Sequence, residues 1–176
     1  MSFLTGKKIV VMGVANKKSI AWGCAQALIQ QGAEVIYTYQ NERMAKSLVK
    51  LVRQEPLMVE SDVSDDQSIQ SAFEQIKSYA GAIHGVVHAI AYATKEDLQG
   101  KVTEISRQGY ALAQDISSYS FIAVTKYAKP ILAENSGIVT LTYLGAERAV
   151  PNYNMMGIAK AALESSVRYL AAELSP

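Results

Sequence analysis

Short apolar runs rich in β-branched residues alternate with helical stretches along this chain, and that alternation constrains the fold more than any single motif. Lys8-Ile9-Val10-Val11-Met12 is continuously apolar after its lysine, the pattern of a strand buried on both faces. A first helix is expected from about Ser19, with Ile20, Cys24, Ala27 and Leu28 at helical spacing and Gly32 ending it. A second strand follows over Glu34–Tyr39, then a helix from Glu42 to about Arg53 with Met44, Leu48, Leu51 and Val52 inward. Residues 56–60 read as a shorter strand. Ser64 and Gln67 fit a capping box that opens a third helix, with Ile69, Ala72, Phe73 and Ile76 on its inner stripe. Residues 85–90 form the fourth strand, 91–101 a loop, and 106–129 one long helix. A fifth strand over 137–143, ending at Tyr143, and a last helix over 152–174 complete the order.

Repeated alternation of this kind predicts an α/β fold, a Rossmann-like, doubly wound parallel sheet with helices on both faces. At 176 residues, with no linker or repeat, the chain is expected to form a single domain. A formal net charge of +1 with no block of like charge argues against nucleic acid or a membrane surface as partner. The single cysteine, Cys24, excludes an internal disulfide and fits a reducing compartment. The first residues lack an apolar signal core, so a cytoplasmic protein is expected.

In such a sheet, ligands bind beyond the carboxyl ends of the strands, where the strand order reverses. The first end carries Gly13, suited to close backbone approach, then Ala15, Ser19 and Ile20 at the helix start, where free N–H groups and a hydroxyl can hold phosphate. Gly23 could bring that helix close to the sheet; a plain structural junction is the alternative. Gln40 and Asn41 end the second strand, and they suit ribose hydroxyls but offer no charge to a 2′-phosphate. Arg43 and Lys46 are nearby but are expected to be solvated, so NADH is favoured over NADPH. Asp62 and Val63 could read an adenine edge, or Asp62 could help to cap the next helix. Ile90 and Ala91 end the fourth strand. His84 and His88 lack further ligands of metal-binding type, so no metal site is expected.

Tyr153 and Lys160 stand seven residues apart, nearly two helical turns, which places them on one face about 10 Å apart along the axis. A nearby ammonium would lower the phenol's pKa and make a proton donor. The alternative is a helix-start aromatic and a solvated lysine.

Together these stretches resemble the bacterial enoyl-acyl-carrier-protein reductases, a divergent branch of the short-chain dehydrogenase/reductases. The resemblance rests on Val11 to Asn16 and Ser19 to Gly23, on Asp115-Ile116-Ser117-Ser118-Tyr119-Ser120, on Thr142-Tyr143-Leu144-Gly145, and on Asn152-Tyr153-Asn154 through Lys160. The ordinary branch spaces its tyrosine and lysine four apart; here that position is Gly157, so the seven-residue spacing selects the enoyl reductase branch. The resemblance implies NADH-dependent reduction of the trans-2 double bond of an enoyl thioester on acyl carrier protein. It implies that Tyr153 stabilises the thioester oxygen, that Lys160 binds the nicotinamide ribose, and that Tyr143 lines the acyl site. Gly13, Ala15, Ser19 and Ile20 are implied at the pyrophosphate, Gln40 at the adenosine ribose, Asp62 and Val63 at the adenine, and Ile90 and Ala91 on the adenosine side. Two other readings stay open: a different short-chain dehydrogenase/reductase, and a non-catalytic dinucleotide-binding module.

Family members continue into a sixth strand, a cofactor loop, substrate-covering helices and a seventh strand. Residues 1–176 stop before these, so the fold is expected to be C-terminally incomplete and this piece alone to turn over little or not at all. A homotetramer is also implied, through small residues such as Ala111, Ala113, Ser117, Ser118, Ser120 and Ala123 on the long helix, with helix-on-sheet packing within one chain as the alternative use of these residues. Ala161, Ala162, Ser165, Ser166, Ala171 and Ala172 offer a similar surface on the last one.

Overall fold

The computed structural model describes residues 2–52 and 55–175. They form two compact units: one runs to Ala89 and includes Val124–Thr140, and the other comprises Ile90–Ala123 and the chain from Leu141 onward.

The first unit holds a five-stranded sheet, wholly parallel, in the order β3-β2-β1-β4-β5. Its strands are β1 (Lys8–Met12), β2 (Glu34–Tyr39), β3 (Met58–Glu60), β4 (Ile83–His88) and β5 (Leu132–Thr140). The connecting helices are α1 (Ile20–Gln30), α2 (Glu42–Val49) and α3 (Asp66–Ala80). This is the expected Rossmann-like α/β class. Ile9, Val11, Val35, Tyr37 and Val87 pack with Ala21 and Ala25 of α1 and Leu48 of α2 in one apolar cluster. Val10, Met12, Ile36 and Val86, which alternate with them along the strands, are buried as well. Each such aliphatic side chain contributes about 1.5–3 kcal/mol relative to exposure, which is why the central strands read as unbroken apolar runs.

Several expected details shift. The inner stripe of α1 is Ala21 and Ala25, flanked by half-buried Trp22, Cys24 and Leu28, whereas Ile20 and Ala27 are exposed. Gly23 also faces outward, and a Cβ there would meet nothing within 4 Å; the two alanines, not Gly23, allow the close approach. Gly32 ends α1 as expected, at a φ of 85° that disfavours any side chain. Helix α2 stops at Val49, and the expected end at Arg53 lies outside the described residues. Asp65, not Ser64, caps α3, its carboxylate accepting the Gln67 N–H at 2.9 Å, because Ser64 is engaged with Asp62. The stripe Ile69, Ala72, Phe73 and Ile76 is buried as read.

Strand β4 begins and ends two residues earlier than expected, and β5 begins earlier and stops at Thr140, three residues before Tyr143. Pairing explains both bounds. Their register runs from Ile83↔Leu132 to His88↔Thr140, with an irregularity between Ile83 and Gly85. At the far end the Thr140 hydroxyl lies 3.0 Å from His88 Nδ1 and donates to the His88 carbonyl at 3.1 Å. His84 has a separate task, its Nδ1 accepting the Lys8 N–H at 3.2 Å.

The second unit contains α4 (Lys95–Gln99), α5 (Arg107–Gln114), the start of α6 (Ser120–Ala128) and α7 (Asn154–Leu174). Helix α4 interrupts the expected loop. Its cap is Thr94, whose hydroxyl accepts the Asp97 N–H and donates to the Asp97 carboxylate at 2.6 Å. Asp115–Tyr119 forms a π-helical turn between α5 and α6, so the expected uniform helix is divided. Ala113, Met155, Met156 and Ala159 make this unit's core, with Leu98, Ile105 and Tyr153 against them. Of the small residues on the long helix, only Ala111 is exposed; Ala113, Ser117, Ser118, Ser120 and Ala123 are buried within the chain. Among the described residues no helix is long and apolar enough to cross a membrane.

Candidate active site

In the first unit, seven of the expected residues gather at the carboxyl ends of β1, β2 and β3. Strand order reverses between β1 and β4, and their last residues are paired, Met12 with His88. Gly13 follows Met12 with φ 91°, a left-handed conformation that lets the chain turn sharply off the strand. Ala15 is half-buried behind it, and Ser19 occupies the N-cap position of α1. The Ser19 hydroxyl donates to the Asn16 carbonyl at 2.7 Å, which fixes the loop and leaves the oxygen's lone pairs as acceptors. Ile20 and Ala21 open the helix, so their N–H groups lack intrahelical acceptors. Ile20 itself is 66% exposed, an apolar side chain held open beside polar backbone.

The ends of β2 and β3 are joined by side chains. Gln40 Nε2 donates to Asp62 Oδ2 at 3.3 Å, while Asp62 Oδ1 accepts from the Ser64 N–H at 3.0 Å and the Ser64 hydroxyl at 2.7 Å. Partial burial works against ionisation of Asp62, but the Ser64 and Gln40 hydrogen bonds outweigh it and hold the carboxyl below its ordinary range. Asp62 thus shapes the turn ahead of α3 without being its cap. Asn41 caps α2, accepting the Met44 N–H at 3.2 Å, and Lys46 pairs with Glu42 at 2.8 Å on the exposed helix surface. Val63 is buried, and so is Ser61 just before it. The Ser61 hydroxyl oxygen has no hydrogen-bond partner among the described residues, an orphaned polar atom that sequence reading did not single out.

In the second unit Ile90 and Ala91 lead into Tyr92, whose backbone is anchored at both groups. Its N–H donates to Ser117 Oγ at 2.9 Å and its carbonyl accepts the Ser117 hydroxyl at 2.9 Å. Ser117, on the π-helical turn, is therefore engaged within its own chain by the Tyr92 backbone.

Tyr143, Tyr153 and Lys160 also lie in this unit. Asn152, at φ 60°, turns the chain so that Tyr153 takes the N-cap position of α7, one residue before the helix proper. The Tyr143 and Tyr153 rings meet edge to face, centroids 4.8 Å apart at 65°. Tyr143 is half-exposed on the loop beyond β5. Lys160 is only 6% exposed, which removes the reading of a solvated surface lysine. Its ammonium donates to the Leu141 carbonyl at 2.6 Å, and burial pushes its pKa below the usual lysine value. The expected effect on Tyr153 is reversed. Burial, and then the neighbouring Tyr143 phenol, raise the Tyr153 pKa instead of lowering it. The lysine charge is directed at a backbone carbonyl, and the aromatic neighbour would oppose a phenolate. The Tyr153 phenol can donate a hydrogen bond.

The chain is similar to known proteins along nearly its whole length. A family model described as enoyl-(acyl carrier protein) reductase matches residues 13–176. The NADH-dependent enoyl-[acyl-carrier-protein] reductase of Enterococcus faecalis is 68% identical over 173 residues, covering 98% of this chain and 69% of that protein. The NADPH enzyme of Staphylococcus aureus is 50% identical over 98% of this chain and 69% of its own length. The crystal structure of the Anaplasma phagocytophilum reductase in complex with NAD superposes with a TM-score of 0.94 at 43% identity, covering 97% of this chain and 66% of that one. The chain belongs to the enoyl-acyl-carrier-protein reductase family.

Proposed function

We propose that this chain carries the NADH-dependent reduction of the trans-2 double bond of enoyl thioesters borne on acyl carrier protein. The observation that carries the reading is the Tyr153 ring packed edge to face on Tyr143, with a buried Lys160 on the helix that Tyr153 caps, in a chain 68% identical to an NADH-dependent reductase. Gly13, Ala15, Ser19 and Ile20 would hold the pyrophosphate, Gln40 the adenosine ribose, and Asp62 and Val63 the adenine. Ile90 and Ala91 would line the adenosine side, and Lys160 the nicotinamide ribose. The left-handed turn at Gly13, the open start of α1 and the orphaned Ser61 hydroxyl fit a dinucleotide there. The Gln40–Asp62 pair presents a polar end to β2 and β3, and neither Gln40 nor Asn41 offers a positive charge to a 2′-phosphate, which favours NADH over NADPH.

When bound, the cofactor supplies the hydride to the substrate β-carbon. The protein's part is electrostatic: Tyr153 donates a hydrogen bond to the thioester oxygen as negative charge develops there. A phenol keeps its proton through neutral pH, as a hydrogen-bond donor in that role must. Tyr143 packs its ring on Tyr153 and lines the acyl site. A proton from solvent on the α-carbon would then complete the reduction, with Tyr153 keeping its own.

We place this activity in one dinucleotide-binding domain of a cytoplasmic homotetramer, with acyl carrier protein as the partner that presents the substrate. The steady-state test compares crotonyl and acetoacetyl thioesters with NADH and the full-length protein. Oxidation of NADH with the crotonyl substrate only is expected. A preference for the acetoacetyl substrate would place the chain among other short-chain dehydrogenase/reductases, and NADH binding without turnover of either would make it a binding module.

A further inference from the structure

Helix α7 and the segment just after β5 run alongside each other and meet at a ladder of four points. The Thr142 hydroxyl donates to Glu164 Oε1 at 2.6 Å, and Lys160 Nζ donates to the Leu141 carbonyl at 2.6 Å. Gly157 faces the Gly145 carbonyl, and the Tyr153 ring lies against Gly145. Positions 157, 160 and 164 recur at helical spacing, so one face of α7 makes the contacts.

The two glycines are the tight rungs. A Cβ built on Gly157 would sit 2.7 Å from the Gly145 carbonyl oxygen, a backbone atom that can yield only if the loop moves. A Cβ on Gly145 would collide with Tyr153 Cδ1 and Cε1. Glycine inside a helix costs stability relative to alanine, so its place in the first turn of α7 needs a reason. Close approach supplies one. We propose that Gly145 and Gly157 are positioning residues for the reduction: together they seat the Tyr153 ring edge-on against Tyr143 and so aim its hydroxyl. The same contact accounts for the spacing of the tyrosine and lysine. A side chain four residues after Tyr153 would strike the Gly145 carbonyl, so the ammonium comes from Lys160, about one turn further along. The Thr142–Glu164 hydrogen bond holds the far end of the ladder.

This inference rests on the reductase reading, and the experiment separates the two. Tyr153→Phe, Gly157→Ala, Thr142→Val and Thr142→Ser are made in the full-length protein and assayed with a crotonyl thioester and NADH. Gly157→Ala should lower kcat by about tenfold or more, with the KM for NADH changed by less than about twofold, because aim is lost and not cofactor binding. Thr142→Val should lower kcat by about threefold, and Thr142→Ser, which keeps the hydroxyl, should restore it. A folded Gly157→Ala enzyme with unchanged kcat would overturn the proposal. If that variant does not fold, equal kcat in Thr142→Val and the unsubstituted protein overturns it. An intact rate in Tyr153→Phe would instead remove the reductase reading itself.

Discussion

The two units of the chain specify their structure in different ways. The first is governed by repetition: buried β-branched runs, alanines or aliphatics at helical spacing, and a polar or glycine residue at each end. The second is governed by single contacts, among them Ser117 on the Tyr92 backbone, Lys160 on the Leu141 carbonyl, and Gly157 against the Gly145 carbonyl. A periodic pattern tolerates exchange of similar side chains, since many contacts share the work. A single hydrogen bond to a backbone carbonyl does not, because only a donor of the right length reaches it. Substitutions in the buried runs of the first unit should therefore move stability, and those at the single contacts of the second should move rate.

The largest stability effect is expected in the first unit. Leu48, fully buried between α2 and the sheet, should cost about 2–5 kcal/mol when truncated to alanine, measured by denaturant unfolding. The kcat of the folded fraction should stay unchanged. A loss of kcat without loss of stability would erase the contrast between the units.

Lys160→Met sharpens the same contrast from the other side. Methionine fills much of the space but cannot donate to the Leu141 carbonyl, and it removes a buried ammonium. The KM for NADH should rise by about tenfold or more while unfolding stability stays within about 1 kcal/mol, an outcome read from kinetics and calorimetry on one sample. A large stability loss would mean that the lysine serves mainly as a structural tie.

How far the sequence alone reached follows the same division. The sheet, its helices and the inner stripe of α3 were legible, because burial imposes a period that residue types display. The phase of α1 departs from the apolar spacing because Ile20 is apolar yet exposed at the candidate cofactor end, while the smaller Ala21 and Ala25 are buried. The apolar run of β5 continues in sequence to Tyr143, but pairing with β4 ends the strand at Thr140. The positions of Tyr153 and Lys160 in the chain were legible; their electrostatics were not. The lysine's partner is a backbone carbonyl, which every residue possesses and no side-chain pattern reveals. The Ser117 anchor left no sequence signal for the same reason, since its partners are the Tyr92 backbone groups.

The smallest effect concerns Asp62. Its folded carboxyl lies below the ordinary value of 3.8, so the unfolded chain takes up a proton first as the medium is acidified. The stability it contributes is present above about pH 4 and is lost as pH falls through the depressed folded value. The stability difference between the unsubstituted protein and Asp62→Asn should be constant near neutral pH and shrink in acid. A difference that grows in acid would reverse the sign assigned to the Ser64 and Gln40 hydrogen bonds.

The central claim is that the Tyr153 phenol stabilises charge on the thioester oxygen during enoyl reduction. Single-turnover oxidation of bound NADH by a crotonyl thioester, compared between the full-length protein and its Tyr153→Phe variant, tests it most directly. Removal of this one donor should slow the step by about 10²–10³-fold and leave the Kd for NADH unchanged. Equal single-turnover rates in the two proteins would contradict the account.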